Sequence, residues 1–196
     1  MKIGIVPSIQ EKYKNQFEYS CDVKLIELLP AIFRNCKVEL LTANHKIDNK
    51  YKLIIISGAS GNELIGFSKS KKNILRNKLD NKFFNLSQKF NIPILGICHG
   101  AQYLAKKFSS VLKKKNHVGN HYIHFYNNNK KTIVNSYHTK IITKLGRELI
   151  SGAKAYDNSI EYFKHHKKKI AGIMWHPERF KKTNKIDINI IRELCS

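Results

Sequence analysis

Long apolar runs, paired cysteines and arginine are all scarce in this sequence. Its longest purely apolar stretches are short, such as Leu53-Ile54-Ile55-Ile56, far below the roughly 20 residues that cross a bilayer. The start, Met1-Lys2-Ile3-Gly4-Ile5-Val6-Pro7, has neither a long apolar core nor a small-residue cleavage site, so no secretory signal is expected. The four cysteines, Cys21, Cys36, Cys98 and Cys195, show no CxxC spacing. That excludes a zinc ribbon and lends no support to a disulfide framework. A cytoplasmic protein without membrane contact is the expectation.

Only five arginines stand beside 31 lysines in a chain of net charge +22. Arginine is the residue suited to bidentate phosphate and base contacts, and the lysines are scattered, with short runs at Lys113–Lys115, Lys167–Lys169 and Lys181-Lys182. Lys, Ile and Asn, the residues of AT-rich codons, together make up 76 of the 196 residues. The charge therefore reads first as composition, then as a preference for a phosphate-bearing small substrate. A basic nucleic-acid-binding protein is the non-enzyme alternative, and its binding would fall steeply with salt.

What is present reads as one α/β domain spanning residues 1–196. Ile3–Val6, Val38–Leu41, Leu53–Ile56 and Ile92–Leu95 are short β-branched runs bounded by polar or turn residues, the pattern of buried strands. Apolar stripes at helical spacing lie between them: Leu25, Leu28, Leu29 and Ile32, then Leu75, Leu79, Phe83, Leu86 and Phe90, then Ala101, Leu104, Ala105 and Phe108. Such alternation predicts a doubly wound, mostly parallel sheet with helices on both faces. After residue 110 the texture changes. A hairpin between Tyr122–Tyr126 and Thr132–Val134, strands near Ala153–Tyr156, Ser159–Phe163 and Ile170–Trp175, and a closing helix near Ile186–Leu194 predict antiparallel structure in the C-terminal half.

The sharpest chemical signal is Gly96-Ile97-Cys98-His99-Gly100, between an expected strand and an expected helix. This is the glycine-flanked nucleophile elbow with cysteine as nucleophile. A tight strand-to-helix turn crowds the positions two before and two after the nucleophile, and glycine relieves that crowding. The adjoining helix N-terminus favours thiolate over thiol. Met174-Trp175-His176-Pro177-Glu178 supplies a candidate base and orienting acid. His176 would exchange protons with Cys98 and the leaving nitrogen, Glu178 would fix its tautomer, and Pro177 would hold His176 extended.

Gly96-Ile97-Cys98-His99-Gly100-Ala101-Gln102 together with Trp175-His176-Pro177-Glu178 resembles the class I glutamine amidotransferase family. Ser57-Gly58-Ala59-Ser60-Gly61-Asn62 is similar to that family's oxyanion loop, and Val134-Asn135-Ser136-Tyr137-His138 to its Asn-Ser-x-His segment. The resemblance implies a doubly wound α/β fold and a Cys98-His176-Glu178 triad. It implies an oxyanion hole from the backbone amide of His99 and that of Ala59 or Gly58; the double glycine common in synthetase-linked members is absent here. It also implies glutamyl contacts from Gln102, Asn135, Ser136 and Tyr137. The Gly-Ala-Ser-Gly-Asn loop and the Asn-Ser-Tyr-His segment look most like the γ-glutamyl hydrolase branch. That implies attack of Cys98 on a γ-glutamyl carbonyl and release of glutamate. The substrate expected by resemblance is a γ-glutamyl nucleotide phosphoramidate of the kind used in bacterial capsule decoration, with Arg179 the best single diphosphate contact. Another γ-glutamyl compound, or glutamine in a subunit that feeds ammonia to a synthetase partner, are the alternatives.

No cofactor and no metal are expected. His117, His121 and His124 invite a metal reading, but Tyr122-Ile123-Phe125-Tyr126 suggests a strand, on which spacings of four and three do not share one face. His138 reads as ordering its loop, and His165-His166 as a solvated turn. Cys21, Cys36 and Cys195 have no polar companions that suggest reactivity.

Overall fold

The computed structural model describes residues 1–59, 70–126 and 130–196. The N-terminal half runs β1 (Lys2–Val6), β2 (Ser8–Tyr13), β3 (Gln16–Ser20), α1 (Val23–Ile32), β4 (Lys37–Leu40), β5 (Tyr51–Ile56), α2 (Lys71–Lys89), β6 (Ile94–Ile97) and α3 (His99–Lys107). There follow β7 (Val111–Val118), β8 (His121–Phe125), β9 (Lys131–Val134), β10 (Tyr137–Lys144), β11 (Leu149–Ala155), β12 (Ile160–His165), β13 (Ile170–Ile173), a 3₁₀ turn (Pro177–Arg179) and α4 (Lys185–Cys195).

The main sheet has the order β4-β1-β5-β6-β13-β12-β11-β8-β9, with β10 joining at β12 and β7 at β10. Pairings among β4, β1, β5, β6 and β13 are parallel, and those from β13 outward are antiparallel. Strand β5 shows why the parallel part is covered on both faces. Its Leu53 and Ile55 enter one apolar cluster, with Leu25 and Leu29 of α1 and Ile190 and Leu194 of α4. Ile54 and Ile56 point the other way, into a second cluster with Leu79 and Phe83 of α2 and Leu104 of α3. A period of two along the strand thus feeds two helix layers, and a run of four fully buried aliphatics is what that requires. Helices α1, α2 and α4 are capped by side chains. The side chains of Asp22, Ser70 and Asn184 accept from Lys24, Asn73 and Ile186 amides at 3.1, 3.3 and 3.1 Å. Among the described residues no helix is long and apolar enough to cross a membrane.

The expected strands and helices of the parallel half are all found, with β6 shifted two residues toward the C-terminus. Ile92 and Pro93 lie before it, and Pro93 contributes its carbonyl to Ile54 N (2.9 Å) instead of a ladder donor. The hairpin β2–β3 and the ribbon β7–β10 are additions to the expected pattern. Most of β2, β3 and β7 is exposed and polar, and β7 carries Lys113, Lys114 and Lys115, so none of them shows apolar alternation. The flanks of the expected hairpin are found as β8 and β9; its Asn127–Asn129 turn lies outside the described residues.

Helix α3 is seated directly on β5. A Cβ at Gly100 would stand 2.0 Å from the carbonyl oxygen of Ile56, a backbone atom that cannot rotate away. Gly100→Ala is therefore expected to cost about 3 kcal/mol or more, at the upper end of overpacking penalties. Denaturant unfolding monitored by circular dichroism measures this.

Candidate active site

Cys98 occupies the turn from β6 into α3 with φ 50° and ψ −100°, in the left-handed half of backbone space, where a non-glycine residue is strained. The surroundings over-determine that geometry. Its amide donates to Ile173 O at 2.8 Å, across the β6–β13 pairing, and its carbonyl accepts from Gln102 N at 3.0 Å as the helix begins. A Cβ at Gly96 would lie 2.4 Å from the Gly100 carbonyl group. The two glycines thus serve different surfaces. Gly96 clears the start of α3, whereas Gly100 clears strand β5.

His176 follows β13, the parallel neighbour of β6, so cysteine and histidine emerge side by side at the carboxyl edge of the sheet. Its Nδ1 lies 2.6 Å from Glu178 Oε1. Burial by itself disfavours the imidazolium, but hydrogen bonds to Cys98 and Glu178 outweigh it and push the imidazole up to about 9. The backbone of His176 is gripped as firmly. Asn135 Nδ2 donates to His176 O and Asn135 Oδ1 accepts from His176 N, both at 2.8 Å. Tyr137 meets the imidazole edge-on, with ring centroids 5.5 Å apart. Gly58 closes the other side: a Cβ there would stand 2.6 Å from His176 Cε1. Pro177 opens the 3₁₀ turn that brings Glu178 back under the ring.

The residues expected to bind an oxyanion lie around this pair. His99 is the first residue of α3, where backbone N–H groups have no intrahelical acceptor. Gly58 and Ala59 follow β5 and line a cavity of about 200 Å³ together with His176, Glu178 and Arg179. Ser60, Gly61 and Asn62 of the same loop lie outside the described residues.

A buried network that sequence reasoning missed ties these parts together. Arg76 Nε contacts both carboxylate oxygens of Asp80, at 2.9 and 3.0 Å, and Asp80 Oδ2 lies 3.1 Å from His99 Nε2. The guanidinium also donates to Pro7 O and Ser57 O, each at 2.9 Å. Arg76 is 1% exposed and Asp80 0%. An Arg–Asp pair four residues apart on a helix usually means a solvated face; only the packing shows this one to be internal.

The expected substrate contacts divide into three kinds. Gln102 is buried and donates to Lys140 O at 3.3 Å, so it is not a surface residue of the elbow helix. Asn135 spends its amide on the backbone of His176, a positioning task. Ser136 is buried, while Tyr137 is half exposed beside the cavity. Arg179 stacks over the Tyr137 ring at 4.6 Å and donates through Nε to Asp22 Oδ2 at 3.2 Å. Of the remaining cysteines, Cys21 reaches the cavity wall, and burial, followed by Asp22 and Glu178, pushes its thiol up to about 11.

Fold and site define one class. Residues 17–190 match the family model for Glutamine amidotransferase class-I, and the chain belongs to that family. It is 38% identical over 154 residues to the Gamma-glutamyl-CDP-amidate hydrolase of Campylobacter jejuni subsp. jejuni serotype O:2, covering 76% of this chain and 75% of that one. Among solved structures, a glutamine amidotransferase from Thermotoga maritima superimposes with a TM-score of 0.69 at 18% identity, over 98% of this chain and 82% of that one. This second likeness speaks to the fold.

The Arg76–Asp80 pair gives a direct test of the network. Asp80→Asn leaves a buried guanidinium without its counter-charge, and breaking a buried pair from one side costs about 3–5 kcal/mol. Glu18→Gln, which removes the exposed Lys12–Glu18 pair, should change stability by less than about 1 kcal/mol. Parallel denaturant titrations of the two variants measure the contrast.

Proposed function

We propose that this protein is a γ-glutamyl amide hydrolase whose substrate is γ-glutamyl-CDP-amidate, with glutamate and cytidine diphosphoramidate as products. The likeness to the Campylobacter hydrolase over three quarters of both chains supports the substrate. The observation that carries the chemistry is that Cys98 and His176 follow two adjacent parallel strands, with Glu178 Oε1 2.6 Å from His176 Nδ1.

In this reading the Cys98 sulfur attacks the γ-carbonyl carbon, and the oxyanion that forms is received by backbone amides of His99 and of Gly58 or Ala59. The His176 imidazolium protonates the departing phosphoramidate nitrogen. Neutral His176 then takes a proton from water, which attacks the thioester and frees glutamate and the thiol. Glu178 holds the tautomer and stabilises the charged ring. Tyr137, half exposed beside Arg179, is open to the glutamyl group, whereas Gln102 and Ser136 are buried. Arg179, held by Tyr137 and Asp22 at the cavity rim, meets the diphosphate: Asp22 occupies Nε, and a guanidinium carries four further N–H donors. The reaction belongs in the cytoplasm, where thiols stay reduced, and residues 1–196 act as one domain without a cofactor.

Cys98→Ala should lower glutamate release to below about 1% of the wild-type rate, since removing a nucleophile costs several orders of magnitude. Full activity in this variant would remove Cys98 from the mechanism. The pH profile tests the ring. An imidazole raised to about 9 keeps its proton through neutrality and loses it above that value, so kcat/KM should fall on an alkaline limb near pH 9. Glu178→Gln withdraws one of the groups that raise it, and the limb should move to lower pH. An unmoved limb would separate Glu178 from His176.

Substrate truncation separates the proposed reaction from ammonia delivery. Glutamine keeps the scissile amide but lacks the diphosphate, so γ-glutamyl-CDP-amidate should exceed it in kcat/KM by about a hundredfold or more, equivalent to about 2.7 kcal/mol of transition-state binding. Equal values would favour a glutaminase subunit with a synthetase partner.

A further inference from the structure

We propose that His117, His121, His138 and Glu161 form a binding site for one zinc ion in the antiparallel half of the sheet. His117 Nδ1 lies 3.3 Å and His138 Nε2 3.8 Å from Glu161 Oε1, and His121 Nε2 lies 3.7 Å from Glu161 Oε2. One donor atom from each of His117, His138 and Glu161 falls within 4.8 Å of the others, and all three residues are buried. The His117 ring centroid stands 4.3 Å from that of His121 and 5.2 Å from that of His138.

The atoms themselves point to an ion. Both ring nitrogens of His117 and of His138, Nε2 of His121 and Oε2 of Glu161 are buried without a hydrogen bond of acceptable geometry among the described residues. So many unpaired polar atoms in one place run against the rule that buried polar groups find partners. Separations of 3.3–3.8 Å are long or misaligned for hydrogen bonds. They are close to the ~3.3 Å edge of a tetrahedron whose arms are the 2.0–2.2 Å of zinc–nitrogen and zinc–oxygen bonds. Three neutral imidazoles and one carboxylate make a donor set that zinc accepts. The outer shell fits as well. With Nδ1 of His117 turned to the metal, its Nε2 faces Asp157 Oδ2 at 3.7 Å, the carboxylate–histidine arrangement that orients metal-bound imidazoles. Asp157 is itself held by Lys115 at 2.7 Å and by the Ser159 hydroxyl at 2.6 Å.

The backbone explains how residues distant in sequence meet. His117 ends β7 and His121 begins β8. Between them Gly119 adopts φ +115° and donates to Ser136 O at 2.9 Å. The chain turns there, so the spacing of four is not counted along one strand. Strand β10 pairs His138 with His117, and Glu161 enters from β12. An ion at this point would tie β7, β8, β10 and β12 together, three residues from the Asn135 amide that grips His176.

The test uses the full-length chain carrying Cys98→Ala, which removes the thiolate as a competing zinc ligand. Protein from zinc-supplemented cells is expected to carry close to one zinc per chain. Stripping with a chelator should lower the melting temperature by several degrees, and added zinc should restore it. Cobalt in place of zinc should give the visible absorption of a four-coordinate site. His138→Gln should abolish both stoichiometric zinc and the cobalt bands. Asp157→Asn, which keeps all four ligands, should weaken zinc binding about 10- to 100-fold in a chelator competition. Zinc well below stoichiometry in the Cys98→Ala chain, with no effect of added zinc on its melting temperature, would overturn the proposal whether or not the further variants fold. Undiminished zinc binding in a folded His138→Gln chain would do the same.

Discussion

The buried Arg76–Asp80 pair is the constraint around which the site is organised. Two charges taken out of water are expensive, and their mutual attraction offsets that only when the remaining donors and acceptors are also satisfied. Here the satisfaction comes from three separate places: Pro7 O after β1, Ser57 O after β5, and the His99 ring at the start of α3. Those places are the carboxyl ends of two adjacent strands and the first residue of the elbow helix. A helix that must place one guanidinium within reach of all of them has little freedom to slide on the sheet. The peptide between Ser57 and Gly58 and the start of α3 at His99 thereby inherit fixed positions from an ion pair that does not itself line the cavity.

The parallel half was legible because its physics repeats. Four aliphatic residues in β5 feed two core clusters, and α1, α2 and α3 each present a stripe or cap that can be read locally. The elbow was legible for a related reason, since glycine two places either side of a cysteine is a steric requirement written in residue type. Even so, sequence alone could not assign the two glycines to their different neighbours. Arg76 and Asp80 look like an exposed helical ion pair, and Asn135 looks like a substrate contact until its amide is found on the His176 backbone. Exposed, lysine-bearing β7 has no apolar period to betray it. That loss also hid the histidines, because their convergence depends on the turn at Gly119 and on β10 lying beside β7.

Strand β13 stands at the seam between the two halves. On one side it pairs in parallel with β6, setting Ile173 against Ile97 and Gly172 against Gly96. On the other it pairs antiparallel with β12, setting Ile173 against Tyr162. Cys98 and His176 therefore follow two strands in one parallel register, whereas what holds His176 comes from beyond the seam: Asn135 and Tyr137 precede and open β10. The antiparallel strands are in this sense part of the active-site support, although they contribute neither the sulfur nor the imidazole.

This division of labour bears on how the fold can change substrate without losing its reaction. In the proposed mechanism, attack on a γ-glutamyl carbonyl needs the sulfur, the ring and the oxyanion amides in one fixed relation, and Cys98, His176 and His99 rest on the parallel sheet and the Arg76–Asp80 network. Recognition of a leaving group needs only residues at the rim. Tyr137 and Arg179 are stacked on each other there, half exposed, outside both core clusters. Replacing Arg179 would disturb neither the elbow nor the buried ion pair, whereas Tyr137 also packs edge-on against the His176 ring, so of the two it is Arg179 that can vary while the rest is held constant. A chain of net charge +22 adds a positive field around such a rim, which raises the encounter rate for anionic substrates whatever the identity of the contacts.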